Sequence, residues 1–211
     1  MNYKTTQREN TRFCWFCTAE YSWFCYANSM KKPARFVALL RGINVGGNKK
    51  VPMADLKKML EKMEFTNVKT LLASGNVLFD STETDMKTLR AHIETQLEKT
   101  FGFPVPTLIR TLDDLRTLKE SEPFNNIRVF PETRLYITFL SEKSTSTLKT
   151  PYVSPDGNYK ILRVSDTEVC SVLTVTKDHG TIDAMSILEK EFGRQITTRN
   201  WNTIEKMLVS S

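Results

Sequence analysis

Histidine occurs only twice in the 211 residues, and beyond residue 27 cysteine occurs once, as Cys170. A metal centre is therefore short of ligands. Cys14 and Cys17 form a CWFC pair and Cys25 adds a third thiol, but His92 and His179 are remote in the chain and no four-ligand set assembles. A body with one thiol has no disulfide framework and suits a reducing cytoplasm. No apolar run approaches the roughly 20 residues of a membrane-spanning helix. The opening 29 residues have none of the basic, apolar and small-residue regions of a secretory signal. Excess charge is scarce as well. The net charge is +6 and the isoelectric point about 9.1. Residues 1–35 hold six bases and two acids, so the remainder carries only +2. Global basicity thus gives little support to a polyanion partner. No paired-carboxylate signal, Walker pattern or dinucleotide fingerprint occurs. Asp178-His179-Gly180 has no Ser or Cys placed to serve as its nucleophile, and His92 reads as a surface residue of a helix.

What is present is an ordinary globular composition, 40% hydrophobic and 26% charged, over a length that can bury an ample core. Residues 35–42, RFVALLRG, form a strand-like run ending in glycine. Met53, Leu56, Leu60 and Met63 recur at helical spacing. VKTLLA (68–73) and NVLFD (76–80) flank a Ser74-Gly75 hairpin signal. Met86, Leu89, Ile93 and Leu97 mark a second helix before Gly102, and VPTLIR (105–110) is a fourth strand. This order, βαββαβ, is the ferredoxin-like unit. After a connector at 111–133 it repeats: a strand at 134–140, a weak helix at 142–149, strands at 159–164 and 168–175, a helix at 182–192, a short strand at 195–198 and a final helix. The expected fold class is α+β, with two tandem ferredoxin-like subdomains at 35–110 and 134–211, antiparallel sheets and a C-terminal helix. Residues 1–34 stand apart as an aromatic- and cysteine-rich extension.

The strand order of a ferredoxin-like unit places the end of its first strand beside the turn between its second and third. Arg41, Gly42, Asn44, Gly46, Gly47 and Lys49 then adjoin Ser74, Gly75 and Asn76, with neighbouring strands about 4.8 Å apart. Glycines let backbone N–H groups approach a ligand, the following helix offers its positive end, and Arg41, Lys49 and Lys50 add charge. These features suit an anion; the plainer alternative is a tight strand-to-helix turn with solvated lysines. Arg199, Asn200, Trp201 and Asn202 form a second polar cluster, more polar than a helix cap and a core tryptophan require. By topology it lies on the opposite rim of its own half and joins the first only if the halves dock rim to rim.

LLRGINVGGNKKVPMADLKKMLEKMEFTNVKTLLASGNVLF and TTRNWNTIEKM resemble the opening and closing motifs of the bacterial family called domain of unknown function 1697. Asn48-Lys49 stands where that family often has Lys-Asn, and Leu72-Ala73 where it often has Ile-Gln. The resemblance spans roughly residues 35–210 and implies two ferredoxin-like subdomains; it supplies no reaction. Three functions follow as expectations. The first is binding of a phosphate-bearing ligand, a nucleotide or a nucleic-acid backbone, at the Gly-rich loop. The second is a metal-independent hydrolase or transferase of a phosphorylated substrate, in which Arg41 and Asn76 imitate an acylphosphatase arrangement. The third is a protein-interaction module with a structural loop. No cofactor, metal or membrane is called for, and the oligomeric state is left open. Met30-Lys-Lys-Pro directly precedes the first strand, so the native chain is expected to begin at Met30. Mass spectrometry of the endogenous N-terminus checks this, and peptides from residues 1–29 would refute it.

Overall fold

Alternating side chains let the strand β1 (Ala34–Leu40) serve two cores at once. Phe36, Ala38 and Leu40 point one way, into a cluster with helices α1 (Met53–Lys62) and α2 (Met86–Phe101). Val37 and Leu39 point the other way, into a second cluster. β1 pairs antiparallel with β3 (Asn76–Ser81) and β4 (Thr107–Thr111), and β2 (Thr66–Leu71) adds to β3. The sheet order is β2-β3-β1-β4. Helix α2 starts where the Asp85 carboxylate accepts from the N–H groups of Lys87 and Thr88, and stops at Gly102, whose φ of 80° favours a residue without a Cβ. Helix α3 (Leu112–Glu120) follows β4 directly behind a capping box of Thr111 and Asp114.

The structure, a computed structural model, describes residues 32–211 except 48 and 177–180; the Cys14, Cys17, Cys25 and Asp178-His179-Gly180 motifs lie outside the described residues. The later strands are β5 (Thr133–Leu140), β6 (Tyr152–Val153), β7 (Tyr159–Val164), β8 (Glu168–Thr174) and β9 (Ile196–Asn200), in the order β6-β7-β8-β5-β9. All their pairings are antiparallel. Helix α4 (Thr181–Phe192) backs this sheet over Leu140, Ile161 and Ile196. Helix α5 (Trp201–Val209) follows β9 as α3 follows β4. The protein is thus mixed α+β, with five helices and two antiparallel sheets among the described residues.

The expected helix at 142–149 is absent: residues 141–151 run as an irregular segment with no helix. Serines compete with helical bonding there. Ser144 Oγ accepts from the N–H of Ser146, Ser146 Oγ accepts from that of Leu148, and the N–H of Ser144 donates to the Asp166 carbonyl. Residues Pro33–Ser211 form one compact unit. Its centre is the cluster between the sheets, where Val37, Leu39 and Leu78 meet Ile137, Phe139 and Val172, with α3 and α5 completing it. The sheets therefore dock face to face, and each large apolar side chain buried there contributes about 1.5–3 kcal/mol.

Two arginines cross this interface in opposite directions. Arg199 on β9 donates from Nη2 to the Leu40 carbonyl at 2.6 Å, and Arg110 on β4 donates from Nη2 to the Leu140 carbonyl at 2.6 Å. Their places correspond by register: Arg110 lies opposite Val37, and Arg199 opposite Ile137. Each also reaches the turn before a strand of the opposite sheet, β3 or β8, at the carbonyls of Ser74 (3.4 Å) and Thr167 (3.3 Å). Arg110→Ala and Arg199→Ala should each lower the unfolding free energy by about 3 kcal/mol, the scale of leaving two or three buried acceptors without donors. Urea titration measures this, and a loss below about 1 kcal/mol would refute a structural role for the exchange.

Candidate functional site

At the end of β1 the chain turns away from the sheet through a loop whose backbone enters the left-handed region at Gly42, Asn44, Gly46, Gly47 and Lys49. Asn44 holds the loop's shape. Its Nδ2 donates to the carbonyls of Val51 (3.0 Å) and Ala73 (2.8 Å), and its Oδ1 accepts from the Val51 N–H at 2.9 Å. The Ala73 bond ties the loop to the β2–β3 turn, the juxtaposition that topology predicts. Gly75 seals it. The Leu40 N–H donates to the Gly75 carbonyl at 2.8 Å, and a Cβ on Gly75 would stand 2.7 Å from Ile43 Cδ1 and 2.8 Å from Leu40 Cβ. With φ at 76° as well, no other residue fits without displacing the loop.

Arg199 joins this rim through the face-to-face docking of the sheets, without the rim-to-rim docking that topology made the condition for it. Nε donates to Asn76 Oδ1 at 2.6 Å, Nη1 to Thr197 Oγ1 at 2.8 Å and to the Thr198 carbonyl at 2.9 Å. It is 9% exposed and, among the described residues, has no carboxylate partner. Burial pushes its pKa down to about 10, so the guanidinium remains charged at neutral pH. For a base shifted downward, the unfolded state holds the proton longer only above about pH 10, so Arg199 makes stability rise with pH there and adds no slope near neutrality.

Arg110 occupies the matching place but faces Glu168, its Nε 3.6 Å from Oε1. Burial lowers its pKa and Glu168 opposes the shift. Asn76 and Glu168 correspond by register, opposite Leu39 and Phe139. Arg110 therefore meets a carboxylate of the second sheet, and Arg199 meets only the Asn76 amide of the first.

Arg41 and Arg199 share one cleft of about 330 Å³ with Gly42, Asn44 and Ser74. Arg41 is half-buried and donates from Nη2 to Glu189 Oε1 on α4 at 2.6 Å. Asn76 is fully enclosed; its Nδ2 donates to the Leu71 carbonyl and to Ser74 Oγ. Both Asn76 Nδ2 hydrogens and one lone pair of its Oδ1 are thus engaged by the protein. Lys49 turns to the Pro104 carbonyl at 3.5 Å and lies 6.0 Å from the Phe103 ring centre. Gly46, Gly47, Lys49 and Lys50 are exposed, and none of the four lines this cleft. Asn200 caps α5 by accepting from the Asn202 N–H at 3.0 Å, and Trp201 packs edge-on against Phe124. Asn200, Trp201 and Asn202 are not brought into the cleft.

A larger cleft of about 570 Å³ adjoins the first and shares Arg41, Ile196 and Thr197 with it. Its remaining polar lining, including Arg90, Glu94, Glu98 and Arg194, escaped the reading of the sequence. The signal was there in α2, where Arg90, Glu94 and Glu98 recur every four residues on one face. Among the described residues no group of His, Cys, Asp or Glu is arranged to hold a metal, and no helix is long and apolar enough to cross a membrane.

The family model described as protein of unknown function DUF1697 matches residues 34–169. The chain is similar to a solved structure of a conserved bacterial protein from Streptococcus pneumoniae, with a TM-score of 0.66 and 23% identity, covering 85% of this chain and 99% of that one. That likeness is one of fold. No curated protein matches. Gly75→Ala should cost about 2 kcal/mol, the scale of one strained left-handed alanine plus its contacts. Its urea midpoint measures this, and an unshifted midpoint would show that the turn and loop are not locked together.

Proposed function

The chain belongs to the DUF1697 family of proteins of unknown function, and from that premise we propose that it binds a phosphate-bearing ligand, a nucleotide or a nucleic-acid backbone, in the cleft of Arg41 and Arg199. One observation carries the reading: among the described residues Arg199 is buried at this rim without a carboxylate, while its counterpart Arg110 has Glu168. An uncompensated charge in a poorly solvated cleft favours an anion more strongly than the same charge in water. Arg199 has its N–H groups committed to the protein, so it acts through its field. Direct donors come from Arg41, from Ser74 Oγ and from the loop backbone at Gly42.

We also read the molecule as two ferredoxin-like halves, 35–110 and 134–211, joined at 111–133. The orders β2-β3-β1-β4 and β7-β8-β5-β9 support this, the second half having an irregular segment in place of its first helix. A reducing cytoplasm suits the buried free thiol of Cys170.

Inorganic phosphate, nucleotides and short oligonucleotides should raise the melting temperature of the purified protein. Arg41→Ala should weaken binding at least tenfold, about 1.4 kcal/mol. Asn76→Asp, which sets a carboxylate against Arg199 as Glu168 stands against Arg110, should abolish binding while the fold persists. Unchanged shifts in both variants would refute the site.

A further inference from the structure

The larger cleft is continuous with the phosphate rim at Arg41, Ile196 and Thr197, and its chemistry differs from that of the rim. We infer that it receives the nucleoside body of a mononucleotide whose phosphate sits between Arg41 and the Gly-rich loop. This rests on the phosphate reading of the rim and narrows it from phosphate-bearing ligands at large to one class.

Three observations carry the inference. The first is size. About 570 Å³ lies well within the usual range of small-molecule sites, and the rim adds a further cleft of about 330 Å³ beside it, at the low end of that range. The second is the wall. Pro104, Val105, Pro106 and Leu108 form an apolar side, and Arg90 and Arg194 supply planar guanidinium groups from two different elements. Flat apolar surface and guanidinium planes are both surfaces on which a base stacks. The third is the sign of the charge. Glu94 and Glu98 stand among the arginines, and Thr95 and Gln195 add neutral polar groups. Glu94 Oε1 accepts from the Thr107 N–H at 2.7 Å, which fixes α2 against β4, and Glu98 is exposed along the same face. Carboxylates accept from ribose hydroxyls and exocyclic amines but repel further phosphates. A sugar-phosphate chain is held by a groove of one sign, so this mixed lining selects against an extended nucleic acid.

The test compares inorganic phosphate, the four ribonucleoside 5′-monophosphates and a single-stranded oligonucleotide on the full chain by calorimetry. At least one monophosphate should bind ten times more tightly than phosphate, and more tightly than the oligonucleotide. Ala91→Trp and Thr95→Trp, both on the exposed face of α2 that lines this cleft, should erase that advantage and leave phosphate binding unchanged. Two substitutions are used so that one that fails to fold does not decide the matter; melting curves identify it. A monophosphate no tighter than phosphate, or an advantage that survives both tryptophans, overturns the inference and spares the phosphate reading. Tighter binding of the oligonucleotide does the same. Failure of phosphate and every monophosphate to bind overturns both.

Discussion

The structure depends on a reciprocal exchange of arginines across the seam between its two sheets. Each sheet ends its first strand at a buried residue whose carbonyl accepts from an arginine across the seam, Leu40 on one side and Leu140 on the other. The last strand of the opposite sheet, β9 or β4, delivers a guanidinium to it. Arg199 and Arg110 each satisfy several acceptors at once, which a lysine with its single ammonium cannot do in the same geometry. Apolar packing of Val37, Leu39, Ile137 and Phe139 supplies the bulk of the attraction between the sheets. It is not directional, and by itself it sets no register between the two docked faces. The arginines fix the register of the docking.

The candidate site lies where the correspondence between halves fails. Arg41 and Ser141 occupy matching places, their N–H groups donating to the carbonyls of Pro106 and Gln195. The Gly-rich loop and α1 correspond to an irregular serine-rich segment, and Asn76 to Glu168. Every one of these differences shifts the first rim toward positive charge and open backbone donors. Structural needs alone do not account for the direction, because the second half meets the same docking requirement with a balanced Arg110–Glu168 pair.

How much of this the sequence discloses follows from the range of each interaction. Strand order and the meeting of the Asn44 loop with the Gly75 turn were legible, since both depend on neighbouring strands within about 80 residues of chain and on a glycine signal. The plain readings of Asn200 as a cap and Trp201 as a core anchor were legible for the same reason. Arg199 was noticed as unexpectedly polar, but its destination was hidden, because reaching Leu40 requires the docking of two separately formed faces. The face of α2 that carries Arg90, Glu94 and Glu98 was overlooked beside the stronger apolar stripe of Leu89, Ile93 and Leu97. At 142–149 a helix was expected from position in the repeat, and local serine bonding to the backbone prevailed over it.

A buried guanidinium without a counter-ion is held at a cost in desolvation, which its lowered pKa records. An apolar residue of similar volume would remove that cost but leave Leu40, Ser74 and Asn76 without a donor, so the protein keeps the charge. The remaining imbalance is electrostatic, and it is located at the seam that registers the two sheets. In the proposed reading an anion at the rim relieves it, so ligand binding and docking of the halves draw on the same free energy. Occupancy then stabilises the interface between the sheets as well as the loop the ligand touches. The Arg41–Glu189 bond sets the opposing term, because Glu189 competes with the anion for Arg41 and links the rim to α4. In that reading Arg41 is poised between an internal carboxylate and an external phosphate, and the second-half scaffold takes part both through the field of Arg199 and through Arg194 in the adjoining cleft.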